Sequence, residues 1–259
     1  MRVRGYPPAA LCWVDLFCPD LTLASAFYGS LLGWTNAGDP ADGRLDFRLG
    51  DLVAAGATAA GGGPASWVVF VSTDDLDATV AAVTAAGGRV VTPPAQVGTR
   101  GRAAICADPQ GAVFGLWQRA TFAGSQVQRV AGAPSWSELW TRDTVSAAAF
   151  YKEVFGWSER TGELAASVDY GEFYTGGRTV GGLIAITDEM PAELPPRWGV
   201  TFEVDDCEAV AARCRDLGGF VAVPPVFVDV GTAAFLVDPL GALFGVFQPI
   251  PELLDAPPN

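Results

Sequence analysis

The sequence predicts a mixed α+β fold built from four βαβββ units, arranged as two tandem copies of a pair. Three observations predict it: an internal repeat, one amphipathic helix after the first strand of each unit, and glycines where each helix ends. The chain has 259 residues and half of them are hydrophobic, which suits two compact domains.

The repeat is carried by aromatic, acidic and glycine residues that recur in the same order. Trp34 recurs at Trp157, an offset of 123, whereas Trp67 recurs at Trp198, an offset of 131, and Asp108 recurs at Asp238, an offset of 130. The second copy therefore carries an insertion of about eight residues after its first helix. The predicted domains are 8–120 and 131–250, joined by a linker at 121–130 and followed by a tail at 251–259.

Each element has its own local signal. Residues 11–18 alternate as a strand, Asp20 stands at a helix N-cap, and Gly33 ends that helix. The later elements of the first copy are predicted as strands 45–49, 52–58 and 67–72, a helix at 76–86, and strands near 89–92, 102–107 and 112–118. The four units span 11–58, 66–118, 134–187 and 197–248.

Composition excludes several classes of function. Sixteen Lys and Arg face 29 Asp and Glu, a net charge of −13, which argues against nucleic acid or an anionic membrane as partner. No apolar run approaches a membrane span. The chain has no histidine, so histidine bases and metal ligands are absent. Five cysteines without a CxxC pair predict reduced thiols and a cytoplasmic location.

The pattern resembles the vicinal oxygen chelate superfamily of glyoxalases, bleomycin-resistance proteins and dioxygenases. Phe27-Tyr28 and Gly33-Trp34 carry the resemblance, as do their copies and the two Asp-Pro-x-Gly-Ala-x-Phe-Gly endings. More narrowly, the chain is similar to two-domain actinobacterial antigen-like proteins and to accessory proteins of anthracycline pathways. The resemblance implies two glyoxalase-like domains that form open β-cups, with ligands held inside.

The metal positions of the superfamily are not kept. Counted from the shared motifs, its ligand positions fall on Trp13, Val68 and Gly115 in the first copy and on Trp136, Gly199 and Gly245 in the second. None of these side chains ligates a divalent ion. We therefore predict no metal site and no cofactor.

Strand alternation assigns the lining of each cup. The predicted ligand-binding residues of the first copy are Trp13, Asp15, Phe17 and Trp117, and those of the second are Trp136, Glu138, Trp140, Trp198 and Phe247, with Trp198 at the rim. Aromatic rings beside one carboxylate suit a flat, partly polar organic ligand. The second cup is the preferred site.

Three functions stay open at this stage. The first is metal-independent binding of an aromatic or polycyclic small molecule, for sequestration, resistance or an accessory role in antibiotic biosynthesis. The second is a metal-free isomerase, cyclase or hydrolase with Asp15, Glu138 or Glu203 as general base. A metal-dependent glyoxalase or dioxygenase is third.

Structural roles compete with these functions. Each cup carboxylate could instead form a structural hydrogen bond to the backbone or to an arginine, with Arg100, Arg102 and Arg178 as candidates. The chain is expected to be a monomer or homodimer. The sequence leaves open which units pair.

Overall fold

The computed structural model describes residues 1–161, 170–228, 230–250 and 252. Apart from Glu252, the predicted tail 251–259 lies outside the described residues. The first copy consists of β1 (Leu11–Cys18), α1 (Leu21–Leu32), β2 (Thr35–Ala37), β3 (Arg44–Leu49), β4 (Leu52–Ala59), β5 (Ser66–Ser72), α2 (Leu76–Ala85), β6 (Arg89–Val97), β7 (Gly101–Ala107) and β8 (Val113–Arg119).

The second copy repeats this order. It consists of β9 (Pro134–Thr141), α3 (Thr144–Phe155), β10 (Ser158–Thr161), β11 (Tyr170–Thr175), β12 (Arg178–Ala185), β13 (Arg197–Glu203), α4 (Cys207–Asp216), β14 (Phe220–Val228), β15 (Gly231–Val237) and β16 (Leu243–Pro249). The predicted fold class is confirmed: four βαβββ units form two mixed sheets that do not close into barrels.

The helix ends follow from local side-chain chemistry. An aspartate caps the N-terminus of each of the helices α1 to α4 and accepts the backbone N–H three residues later; these caps are Asp20, Asp75, Asp143 and Asp206. Gly33 and Gly156 end α1 and α3 in the left-handed conformation, with φ of 73° and 71°. These caps fix where each helix leaves its sheet.

Units pair with their sequence neighbours. The strand order is β2-β3-β4-β1-β5-β8-β7-β6 in the first sheet and β10-β11-β12-β9-β13-β16-β15-β14 in the second. The first strands of units one and two run antiparallel at the centre, and β9 pairs with β13 in the same way. This answers the pairing question in favour of units one with two and three with four.

One face of each sheet packs into a core that both domains share. Tyr28 on α1 donates to Asp238 of the second domain at 3.0 Å, and Tyr151 on α3 donates to Asp108 of the first at 3.2 Å. Trp67 and Trp198 donate to these two tyrosine hydroxyls. The opposite face of each sheet is the cup face. We call these faces the first cup and the second cup.

Two details differ from the sequence expectations. The strand expected near 89–92 extends to Val97. The insertion is also divided between two places, since Tyr170 matches Arg44 at an offset of 126 while Arg197 matches Ser66 at 131. Three of the extra residues fall at 162–169, outside the described residues, and five fall between β12 and β13. In the part of the chain that the structure describes, no helix is long and apolar enough to cross a membrane.

Candidate functional site: two unequal cups

The central strands β1 and β9 place equivalent side chains on the two cup faces. Trp13, Asp15 and Phe17 alternate along β1, and Trp136, Glu138 and Trp140 alternate along β9. In each sheet the carboxylate residue lies opposite a glycine of the neighbouring parallel strand, Gly56 or Gly182. The structure thus brings together most of the predicted site residues, three per cup on these strands.

The first cup is filled by its own side chains. Trp13 and Trp117 are 3% and 2% exposed, and they pack with the buried Cys12, Val68 and Phe70. A Cβ at Gly115 would lie 2.1 Å from the Phe70 ring, so the space at this glycine is occupied by Phe70. Gly115 therefore accommodates the ring of a buried phenylalanine.

The linker closes the mouth of the first cup. Phe122 packs edge-on against Trp13, with ring centroids 4.9 Å apart, and its carbonyl accepts from the Trp117 indole at 2.9 Å. Ser125 donates its backbone N–H to Cys12, and Tyr6 donates its hydroxyl to the Ser125 carbonyl. Residues 2–6 and 121–126 line a surface cleft beside these contacts. The predicted linker is therefore also a cover for the first cup.

The carboxylate of the first cup has a cation beside it. Asp15 is 1% exposed and pairs with Arg44 at 3.2 Å, while Thr58 donates to it at 3.1 Å. Burial raises the pKa of Asp15, and Arg44 and Thr58 act in the opposite direction. The expected partners were wrong for this group, since Arg100 pairs with Asp46, Arg102 pairs with Asp77, and Arg178 is exposed.

The second cup carries smaller residues at the matching places. Val68 lies opposite Asp15, whereas Gly199 lies opposite Glu138. Phe70 pairs with Gly115, whereas Thr201 pairs with Gly245. Two bulky side chains of the first cup are thus replaced by a hydrogen atom and a hydroxyethyl group.

Aromatic side chains on the second cup face keep part of their surface accessible. Trp136 and Trp140 are partly exposed, unlike Trp13 and Trp117. The Trp136 indole donates to the Tyr170 hydroxyl at 3.0 Å, and Trp140 packs edge-on against Phe235 at 5.4 Å. These contacts hold the rings in place and leave part of each accessible to a ligand.

Glu138 is the polar group at the centre of the second cup. It is 9% exposed, and its carboxylate forms no hydrogen bond or ion pair with the described residues. Burial raises its pKa to about 7. Tyr170 occupies the place that Arg44 occupies in the first cup, and Glu138 together with burial raises the pKa of its phenol. A neutral phenol has replaced the cation.

The other candidates take three different positions. Trp198 was expected at the rim, but alternation along β13 turns it into the shared core, where it is 2% exposed. Phe17 and Phe247 are partly buried on the cup sides of their strands. Glu203 is half-buried at the end of β13, and burial raises its pKa while the N-terminal ammonium and Arg129 lower it.

The residues present do not fit the metal of the superfamily's enzymes. The three ligand positions of each cup lie on strands of the cup sheet and carry Trp, Val and Gly in the first copy and Trp and two glycines in the second. Across the described ranges there is no group of three His, Cys, Asp or Glu side chains able to hold an ion. We derive no chemical step through a metal.

Comparison with known proteins identifies the family. The model of the Glyoxalase/Bleomycin resistance protein/Dioxygenase superfamily matches residues 10–116 and 130–246. This chain belongs to that superfamily, with one glyoxalase-type domain in each half.

Two relatives match this chain along almost their whole length. The Putative glyoxylase CFP32 of Mycobacterium bovis is 36% identical over 250 residues, covering 93% of this chain and 95% of the relative. The anthracycline biosynthesis protein DnrV of Streptomyces peucetius is 35% identical over 264 residues, covering 94% of each.

Solved structures share the fold at low sequence identity. The Mn(II)-bound glyoxalase of Novosphingobium aromaticivorans superposes with a TM-score of 0.63 at 19% identity, covering 94% of this chain and 83% of that one. The 2,3-dioxygenase LapB of Pseudomonas sp. KL28 also gives 0.63, at 15% identity and 93% coverage of both chains.

Proposed function

We propose that this protein binds a flat aromatic or polycyclic small molecule in its second cup and needs no metal to do so. Its role is sequestration, resistance or assistance in antibiotic biosynthesis. The observation that carries the proposal is the contrast between the cups. Gly199 and Thr201 open the second cup beside two accessible indoles, where Val68 and Phe70 fill the first.

Physical chemistry supports an aromatic ligand. A ring placed against Trp136 or Trp140 gains stacking and apolar contact at low conformational cost. The buried carboxylate of Glu138 gives one polar anchor among apolar walls, which is typical of small-molecule sites. The similarity to DnrV adds the class of compound, because that relative is an anthracycline biosynthesis protein. Five unbridged, buried cysteines support a reducing, cytoplasmic setting.

The test is a fluorescence titration with an anthracycline. A stacked ring should quench the emission of Trp136 and Trp140, and removal of bound compound by dialysis should return it chemically unchanged. The purified protein should also carry no stoichiometric transition metal in elemental analysis. Absence of quenching at any accessible concentration, or one tightly held metal ion per chain, would contradict the proposal.

Glu138 favours a second candidate, a metal-free enzyme. A buried carboxylate with a pKa of about 7 is suited to accept a proton from a bound substrate near neutral pH. Tyr170, beside it, would hold the ligand oxygen that develops charge. Product analysis distinguishes the candidates, since an enzyme converts its ligand and the Glu138→Gln variant binds it without conversion. A compound returned unchanged from the wild type favours the binding protein.

A further inference from the structure

We infer that the ligand of the second cup carries a positive charge, which takes the place that the Arg44 guanidinium holds in the first cup. This inference rests on the proposed function and adds the charge of the ligand. It follows from the comparison of two carboxylates at equivalent positions, Asp15 and Glu138.

Among the described residues, the fold places a cation beside the cup carboxylate in the first cup only. Arg44 on β3 reaches Asp15 at 3.2 Å. Tyr170 stands at the equivalent position of β11. Arg44 pairs with the β4 residue that lies beside Phe17, and Tyr170 pairs with the β12 residue that lies beside Trp140. The chain therefore keeps the carboxylate in the second cup without its counter-ion.

No other basic side chain that the structure describes neutralises the Glu138 carboxylate. All sixteen Lys and Arg lie among the described residues. Arg160 pairs with Glu172 at 2.8 Å, and Arg197 donates to the Leu243 carbonyl at 3.2 Å. Neither forms an ion pair with Glu138.

Aromatic side chains form the walls around the Glu138 carboxylate. Two indoles and a phenol, those of Trp136, Trp140 and Tyr170, lie on the same cup face as Glu138. The faces of aromatic rings attract cations, most strongly when water is excluded. A carboxylate surrounded by indole and phenol rings therefore prefers a ring system bearing an ammonium or a cationic ring nitrogen over a neutral one.

The titratable groups that share this cup are few. Tyr170 and Glu172 approach from β11, Arg160 of β10 pairs with Glu172, and Arg197 and Glu203 lie on the cup side of β13. The cup side of β12 carries Gly182 and Ile184, which do not titrate. Bound cation favours ionised Glu138, so its binding at pH 6 should release a proton.

The experiment compares two three-ring aromatics of one shape, N-methylacridinium, a permanent cation, and acridine, which is uncharged at pH 8. Fluorescence titration of the wild type at pH 8 should give about tenfold or greater preference for the cation. Tyr170→Arg places a cation where Arg44 stands and should abolish this preference. Tyr170→Gln, the matched control, loses one of the three rings and adds no charge, so it should keep most of the preference, which the Glu138 carboxylate and the two indoles still supply.

Proton release separates the inference from a merely structural role of Glu138. Calorimetry of N-methylacridinium at pH 6 in two buffers of different ionisation enthalpy should report proton release in the wild type and none in Glu138→Gln. Equal affinity for both compounds, or an unchanged preference in Tyr170→Arg, overturns the inference and leaves the proposed function standing. If neither compound binds to the wild type, both are overturned.

Discussion

The two cups carry a carboxylate at the same place on the central strand and surround it differently. Asp15 lies under packed aromatic side chains, and its Oδ2 atom contacts both Arg44 and Thr58. Glu138 lies between accessible indoles with no such partner among the described residues. The comparison teaches that a cation compensates the buried carboxylate of the first cup, although the Asp15 Oδ1 atom itself accepts no hydrogen bond from the described residues. The buried carboxylate of the second cup has no counter-ion among the described residues, and such a group needs an explanation.

The largest expected effect is on the packing of the first cup. Phe70→Ala removes a ring that is 3% exposed and fills the space at Gly115, so it should lower the free energy of unfolding by about 3–5 kcal/mol. Thr201→Ala, the equivalent change in the second cup, should cost less than about 1 kcal/mol. Urea denaturation of both variants measures the difference. Equal losses would mean that the second cup is packed like the first.

The next effect is a dependence of stability on pH. Burial raises the pKa of Glu138 above its ordinary 4.5 to about 7, so the folded chain holds a proton that the unfolded chain releases. The free energy of unfolding therefore falls as pH rises from about 4.5 to about 7, and above pH 7 the full cost of the buried charge is present. Glu138→Gln should raise the free energy of unfolding at pH 8 by up to about 3 kcal/mol and leave it unchanged near pH 4.

Asp15→Asn is the matched control for that prediction. It leaves the guanidinium of Arg44 without its carboxylate, so no gain of stability at pH 8 is expected. An equal gain in both variants would show that the ion pair does not distinguish the cups.

A smaller effect is expected on ligand affinity. Trp140→Ala should weaken binding of an anthracycline by about tenfold, since a stacked ring and its apolar contact are lost. Trp117→Ala should leave affinity unchanged, because its indole is buried and donates to Phe122, although it lowers stability. Titrations with circular dichroism as folding control measure both. A larger affinity loss in Trp117→Ala would assign the ligand to the first cup.

Much of the fold follows from local sequence signals. The four capping aspartates, the glycines after α1 and α3 and the strand alternation each depend on neighbouring residues, so they are readable from one chain. Alternation also placed Asp15 and Glu138 on the cup faces. The rim prediction for Trp198 was wrong because it rested on the position of this residue at the start of the strand, whereas alternation along β13 turns the side chain into the core.

The contacts between strands could not be predicted from the sequence. Arg44 reaches Asp15 only because β3 and β4 fold beside β1, a relation set by pairing rather than spacing. The equivalence of Tyr170 and Arg44 could not be predicted from the sequence, because the insertion is divided between the segment before β11 and the segment after β12. The cover formed by Phe122 was likewise missed, since nothing in a linker sequence shows which surface it crosses.

The most direct test of the unequal cups is to give the second cup the residue that fills the first. Thr201→Phe places a phenyl ring opposite Gly245, as Phe70 lies opposite Gly115, so the sheet has room for it. We expect the variant to fold with near-native circular dichroism and to lose at least about tenfold in affinity for an anthracycline in fluorescence titration. A folded Thr201→Phe variant that binds as tightly as the wild type would contradict the assignment of the ligand to the second cup.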